Sequence, residues 1–267
     1  MAKSLDMLTG SIWDKMIIFA LPLALTGMLQ QLFNAADVAV LGRFVSSEAM
    51  AAVGSNVPVI GLIINLCVGL ALGANVVVAR ALGMKDFERA HQAVHTAFVT
   101  AVVFGIFMSL LGEAFTGTIL AWLDVPDSVM THAESYLRVF LIGIPFIAIY
   151  NFLAAIFRSQ GDTQTPLWAL IVASIFNIAG NFFAVMVLGM GAGGVAAATV
   201  LANFLAASIL FVRLIKTDGP LRLDVRHLSI VDKRELSSIV RIGWPAGLQD
   251  AVFSISNLII QAAINSL

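Results

Sequence analysis

The chain has 267 residues, 60% of them hydrophobic and only 12% charged, with a formal net charge of −1. A water-soluble domain carries about 25% charged residues, so the surplus apolar residues have no soluble core to fill and must face lipid. The near-zero charge argues against nucleic acid as a partner, and the single cysteine, Cys67, argues against a disulfide or a cysteine-built metal site and is read as packing.

Crossing roughly 30 Å of hydrocarbon takes about 20 mostly apolar residues in a helix. The first such run, 13–41, has Lys3 ahead of it and Lys15 at its start, and is too long for the apolar core of a cleaved leader. It carries Pro22, the amides Gln30, Gln31 and Asn34, and, about 24 residues in, the acid Asp37. The second run, 53–79, holds Gly69 and Gly73 four apart, a small-residue signal for close helix packing. His91 and His95, four apart, lie at the start of the third, 93–112, with no further ligand spacing. The fourth, 133–157, contains Tyr150 and Asn151; beyond it Arg158 and Asp162 are read as a charge pair fixing a corner. The fifth, 167–188, places Asn177 and Asn181 four apart and therefore on one face. The sixth, 194–214, contains Thr199 and Asn203. A polar stretch with Asp218-Gly219-Pro220 then precedes a seventh run, 239–267, that contains Asp250.

None of these runs alternates as a barrel strand would, and helices satisfy their own backbone in lipid. The expected fold is an all-α membrane protein: a six-transmembrane-helix bundle over 1–215, a cytoplasmic linker over 216–238, and a seventh transmembrane helix over 239–267. With the N-terminus in the cytoplasm, 13 of the 15 basic residues fall inside and only Arg43 and Arg138 outside, which the positive-inside rule favours. The outer connection after the third run is acidic, with Asp124 and Asp127. The predicted location is the plasma membrane.

The seventh run echoes the first: matching Pro22 to Pro245 also pairs Leu25 with Leu248 and Asn34 with Asn257. Coming after a six-helix unit, this suggests the start of a second copy, as in duplicated transporters. The chain ends within that apolar run, which is read as a C-terminal truncation.

A carboxylate at membrane depth costs several kcal/mol unless paired or protonated, which singles out Asp37. Counting residues along each helix brings Asp37, Asn181 and Thr199 to similar depth. Oxygen-bearing groups around one acid suit Na⁺ coordination or a proton relay. The plainer alternatives are an Asp37 in contact with interfacial water and asparagines that join helices. Gln30, Asn34, Tyr150, Asn151, Asn203 and Asp250 are candidates for lining a substrate cavity or for packing. No nucleophile–base pair, metal cluster or nucleotide motif indicates an enzyme; His132 and His227 add no ligand spacing.

Several stretches resemble the multidrug and toxic compound extrusion (MATE) family: Leu21-Pro22, Asp37-Val-Ala-Val-Leu-Gly42, Ala79-Arg-Ala-Leu-Gly-Met-Lys-Asp86, Arg158-Ser-Gln-Gly-Asp-Thr-Gln-Thr-Pro166, Asn177-Ile-Ala-Gly-Asn181 and Gly243-Trp-Pro-Ala-Gly-Leu-Gln249. The resemblance implies the first lobe and seventh helix of a monomeric twelve-helix antiporter. It would export drugs or other small organic, often cationic, compounds in exchange for H⁺ or Na⁺, without a cofactor. It also implies a cation site at Asp37, Asn177 and Thr199. Several branches have an aspartate where this chain has Asn181; the missing charge points toward protons. A lipid-linked oligosaccharide flippase of the same architecture would need a cavity rich in Arg and Lys. A non-transporting membrane subunit would not need the acid and asparagines at matched depth.

Overall fold

Polar residues ahead of the apolar runs set where several of the helices start. The computed structural model describes residues 12–123, 125–225 and 231–265. Lys3, Asp124, Arg226, His227 and the last two residues lie outside that range, as does the side chain of Asn257. The described residues form α1 (Ile12–Phe44), α2 (Ser47–Gly83), α3 (Phe87–Trp122), α4 (Asp127–Ser159), α5 (Gln164–Phe182), α6 (Ala192–Lys216) and α7 (Lys233–Asn265), with a π-helical turn at Phe183–Val187 closing α5. Most exceed the apolar runs because their first turns are polar. Ser46 Oγ accepts from Ala49 N at 3.1 Å, and Asp86 Oδ1 accepts from Arg89 N at 3.1 Å. Each such cap stabilises a helix start by about 1 kcal/mol.

One expected contact is replaced. Asp162 does not pair with Arg158: its Oδ1 accepts from Gln164 N at 3.1 Å and Thr165 N at 2.9 Å. The unsatisfied N–H groups at the start of α5 are the nearer partners for the carboxylate. Gly161, at φ +83°, makes the tight reversal before them.

α1 to α6 are each long and apolar enough to cross a membrane. α7, at 33 residues, is also long enough to cross a membrane and carries Lys233, Arg234, Glu235 and Arg241 toward its start; its described residues are not among those six. α4 is the most buried of the six and α1 the least. Two apolar clusters stack along the bundle. One contains Phe33, Ala173 and Ala202; the other contains Val40, Val185 and Ala196. α1, α5 and α6 each pass from one cluster to the other through a polar residue.

α2 and α7 approach to backbone contact. A Cβ on Gly69 would fall on the backbone of Gly247, and a Cβ on Gly243 would lie 2.6 Å from Leu70 Cα. The expected linker is also fastened to the bundle, with Leu221 and Leu223 buried in the first cluster. His95 Nδ1 lies 2.8 Å from the His91 carbonyl, which can only accept, so Nε2 is left to accept from Asp224 N at 2.9 Å. Asp232 N donates to Thr96 Oγ1 at 3.1 Å, and Arg89 Nε reaches Glu235 Oε1 at 2.7 Å.

Candidate functional site

The buried stripe of α1 runs through Thr26, Phe33, Asp37 and Leu41, residues spaced as one helical face. α1 stays helical through Pro22, and Thr26 Oγ1 donates back to the Pro22 carbonyl at 2.8 Å. This stripe turns Asp37 toward α5 and α6 and leaves it 2% exposed. Asn177 and Asn181 come from one face of α5 and are fully buried; Thr199 comes from the facing side of α6. Gly180 allows the approach, because a Cβ there would already sit 3.1 Å from Ala198 Cβ.

The four side chains form a closed polar layer between the two apolar clusters. Asn181 Nδ2 donates to Asp37 Oδ1 at 2.6 Å, and Thr199 Oγ1 donates to Asp37 Oδ2 at 2.8 Å. Asn177 Nδ2 donates to Thr199 Oγ1 at 2.9 Å, and Asn181 Nδ2 lies 3.4 Å from Asn177 Oδ1. Each carboxylate oxygen therefore accepts a bond from a different helix. Among the described residues no basic side chain forms an ion pair with Asp37. Asn181 Oδ1 is buried with no hydrogen-bond partner. Amide and hydroxyl dipoles compensate part of the cost of a buried negative charge; a proton or a monovalent cation would cancel the rest. No group of three or more His, Cys, Asp or Glu able to hold a metal occurs among the described residues.

The remaining candidates separate. Asn203 is half-buried one turn from Thr199 and donates to its carbonyl at 2.9 Å. Tyr150 and Asn151 belong to the core rather than to a cavity wall. The Tyr150 hydroxyl lies 3.4 Å from the Pro166 carbonyl, and Asn151 donates to Ile147 of its own helix at 2.8 Å. Their helix, α4, is surrounded by neighbours, so polar groups there must bond locally. Gln30 and Asn34 are exposed on α1; Asn34 lines a groove between α1 and α2 of about 720 Å³, and Gln30 does not. Asp250 is exposed on α7, and its carbonyl accepts from Asn65 at 3.4 Å.

The sequence reading missed Asn56, fully buried and donating to Ala133 at 3.0 Å, since no local pattern marks its distant partner. It also missed the ion pair of Arg138 with Glu134, visible as an i, i+4 pair, and with Glu113 at 3.0 Å.

The model of the MatE family matches residues 22–183. The probable multidrug resistance protein YoeA of Bacillus subtilis is 31% identical over 263 residues, covering 96% of this chain and 56% of that protein. The probable multidrug resistance protein NorM of Thermotoga maritima is 28% identical over 247 residues, covering 90% and 52%. The chain thus spans about half the length of the curated relatives it matches. The outward-facing structure of a multidrug resistance MATE family transporter superposes with a TM-score of 0.89 at 25% identity, covering 98% of this chain and 58% of that one.

Proposed function

The chain belongs to the MatE family, and from that premise we propose that it forms the ion-coupling lobe of a secondary antiporter that exports small organic compounds in exchange for protons. The observation that carries this reading is Asp37, an acid 2% exposed, bonded to α5 through Asn181 and to α6 through Thr199. Carboxylate acceptors form stronger hydrogen bonds than neutral ones, so the ionised acid ties α1 to the other two helices. A proton on Asp37 weakens both ties and releases α1, the least buried of the six spans. Movement of α1 then couples proton uptake to a change in access.

Protons suit the site better than Na⁺ because the layer holds one acid and two donors already pointing at it. The orphaned Asn181 Oδ1 favours the second reading, Na⁺, if the amide groups turn their oxygens inward. Everted vesicles containing the protein test both. Asp37→Asn should abolish efflux of ethidium driven by an imposed pH gradient and leave the protein folded in the membrane. Undiminished efflux by that variant overturns the coupling role; efflux driven by a Na⁺ gradient alone replaces the proton with Na⁺.

A further inference from the structure

We propose that the groove between α1 and α2 binds an amphipathic organic anion, with Arg43 as its counter-charge. This deepens the export reading and, as a statement about transport, rests on it. The groove is a shallow depression, widely open on one side, of about 720 Å³, lined by Gln31, Asn34, Val38, Ala39 and Arg43 of α1 and Met50 of α2, among others. Pockets of about 300–1,000 Å³ hold drug-sized molecules. Gly42 shapes the floor: a Cβ there would lie 2.9 Å from Met50 Sδ, so glycine lets that thioether lie across α1.

The charge of the groove follows from the rotation of α1. Its outer half has two charged residues, Asp37 and Arg43. Asp37 faces the opposite side, closed in by α5 and α6. Only Arg43 lines the groove. Arg43 is exposed and takes part in no ion pair among the described residues. Glu48, exposed on the first turn of α2, is not part of the lining. A cationic ligand would meet repulsion there and no counter-ion. A carboxylate, sulfonate or phosphate would meet a planar fork of donors suited to it. This departs from the cationic substrates that the family resemblance implies.

The spacing defines the rest of the ligand. Asn34 lies nine residues and two and a half turns from Arg43, so the two stand at opposite edges of the lined face, about 14 Å apart along the axis, with Val38 and Ala39 between them. A ligand crossing the groove diagonally therefore has an acidic head, an apolar body, and a polar group more than about 14 Å further on. A phospholipid would instead lay an acyl chain against the amides of Asn34 and Gln31, leaving them without partners.

The test is a fluorescence titration of the chain in phosphatidylcholine nanodiscs. The probe is 11-(dansylamino)undecanoic acid, with its uncharged carboxamide as the comparison. The acid should bind at least tenfold more tightly than the amide. Arg43→Gln should remove that preference, and Arg43→Lys should retain most of it. Should Arg43→Gln fail to fold, Ser47→Glu, which adds an acid to the groove wall, should weaken the acid about tenfold instead. Equal affinity for acid and amide, or equal acid affinity in the parent and Arg43→Gln proteins, overturns the proposal. So does displacement of the probe by phosphatidylglycerol in an Arg43-dependent manner, which would make the occupant a lipid headgroup. Because the readout is binding, its failure would leave the coupling role of Asp37 standing, and failure of that role would leave this result standing.

Discussion

Thr199 is the middle of a relay: its hydroxyl accepts from Asn177 and donates to Asp37, so one atom joins all three helices of the polar layer. Replacing it with valine keeps the shape and removes both bonds. The cost should be about 1–2 kcal/mol, since interhelical bonds in membranes are individually modest but the freed groups stay buried. Thr199→Ser keeps the hydroxyl and should recover most of that loss. Thermal unfolding in detergent checks both, with Cys67 as the reporter. It is the chain's single cysteine and is buried, so a thiol-reactive dye responds when the fold opens. Equal melting of the valine and serine variants would remove Thr199 from the layer's energetics. The meeting of Asp37 with Asn181 and Thr199 was legible beforehand because helical rise is constant and depth can be counted along a chain. Tyr150 and Asn151 were not, because the facing of α4 depends on neighbours on nearly every side rather than on its own pattern.

At the scale of elements, α2 and α7 meet at their backbones, with glycines of each helix against the other's main chain. A methyl on Gly243 would meet Leu70 Cα and the Gly69 carbonyl, main-chain atoms that cannot rotate aside as a side chain would. Gly243→Ala should therefore push the helices apart and destabilise the fold by about 1–3 kcal/mol, the range for overpacking. Gly61→Ala is the matched control: it lies in α2 and a Cβ there has nothing within 4 Å. Its melting temperature should hold or rise slightly, since alanine restricts the unfolded backbone. A loss equal in the two variants would show that the penalty does not come from the α2–α7 contact, since helix propensity alone favours alanine at both positions. Gly69 and Gly73 announced a packing face by their spacing, but nothing in α2 alone named α7 as the helix it meets. The π turn at 183–187 was equally silent, because its residues are as apolar as the helix they close. Helix ends were missed by several residues for a definite reason: hydropathy registers the lipid-buried length, whereas Ser46 and Asp86 set the start of the hydrogen-bonded helix.

For the molecule as a whole, the polar stretch after α6 is bound to the cytoplasm-facing end proposed for α3. His95 and Thr96 hold its backbone, and Arg89 holds the buried Glu235 at the head of α7. Its composition suggested only a solvated connection; the partners lie more than a hundred residues away, beyond the reach of local patterns. Orientation is the remaining global property, and we propose it from where the basic residues fall. The short connections at 84–86 and 160–163 lie on one side of an up-and-down bundle, and those at 45–46, at 123 with 125–126, and at 188–191 on the other. Arg80, Lys85, Arg89 and Arg158 gather by the first group, as do Arg213 and Lys216 at the end of α6. Among the described residues, Arg43 and Arg138 alone attend the second. Such an imbalance within short connections orients insertion with the basic side in the cytoplasm. In a Cys67→Ala background, Asp127→Cys should be blocked in intact cells by a membrane-impermeant maleimide, and Met84→Cys should react only after permeabilisation. Both positions are exposed, so a difference between them reports sidedness rather than burial. The opposite pattern would invert the bundle and place the groove beside Arg43 on the cytoplasmic side, where it would load substrate rather than release it.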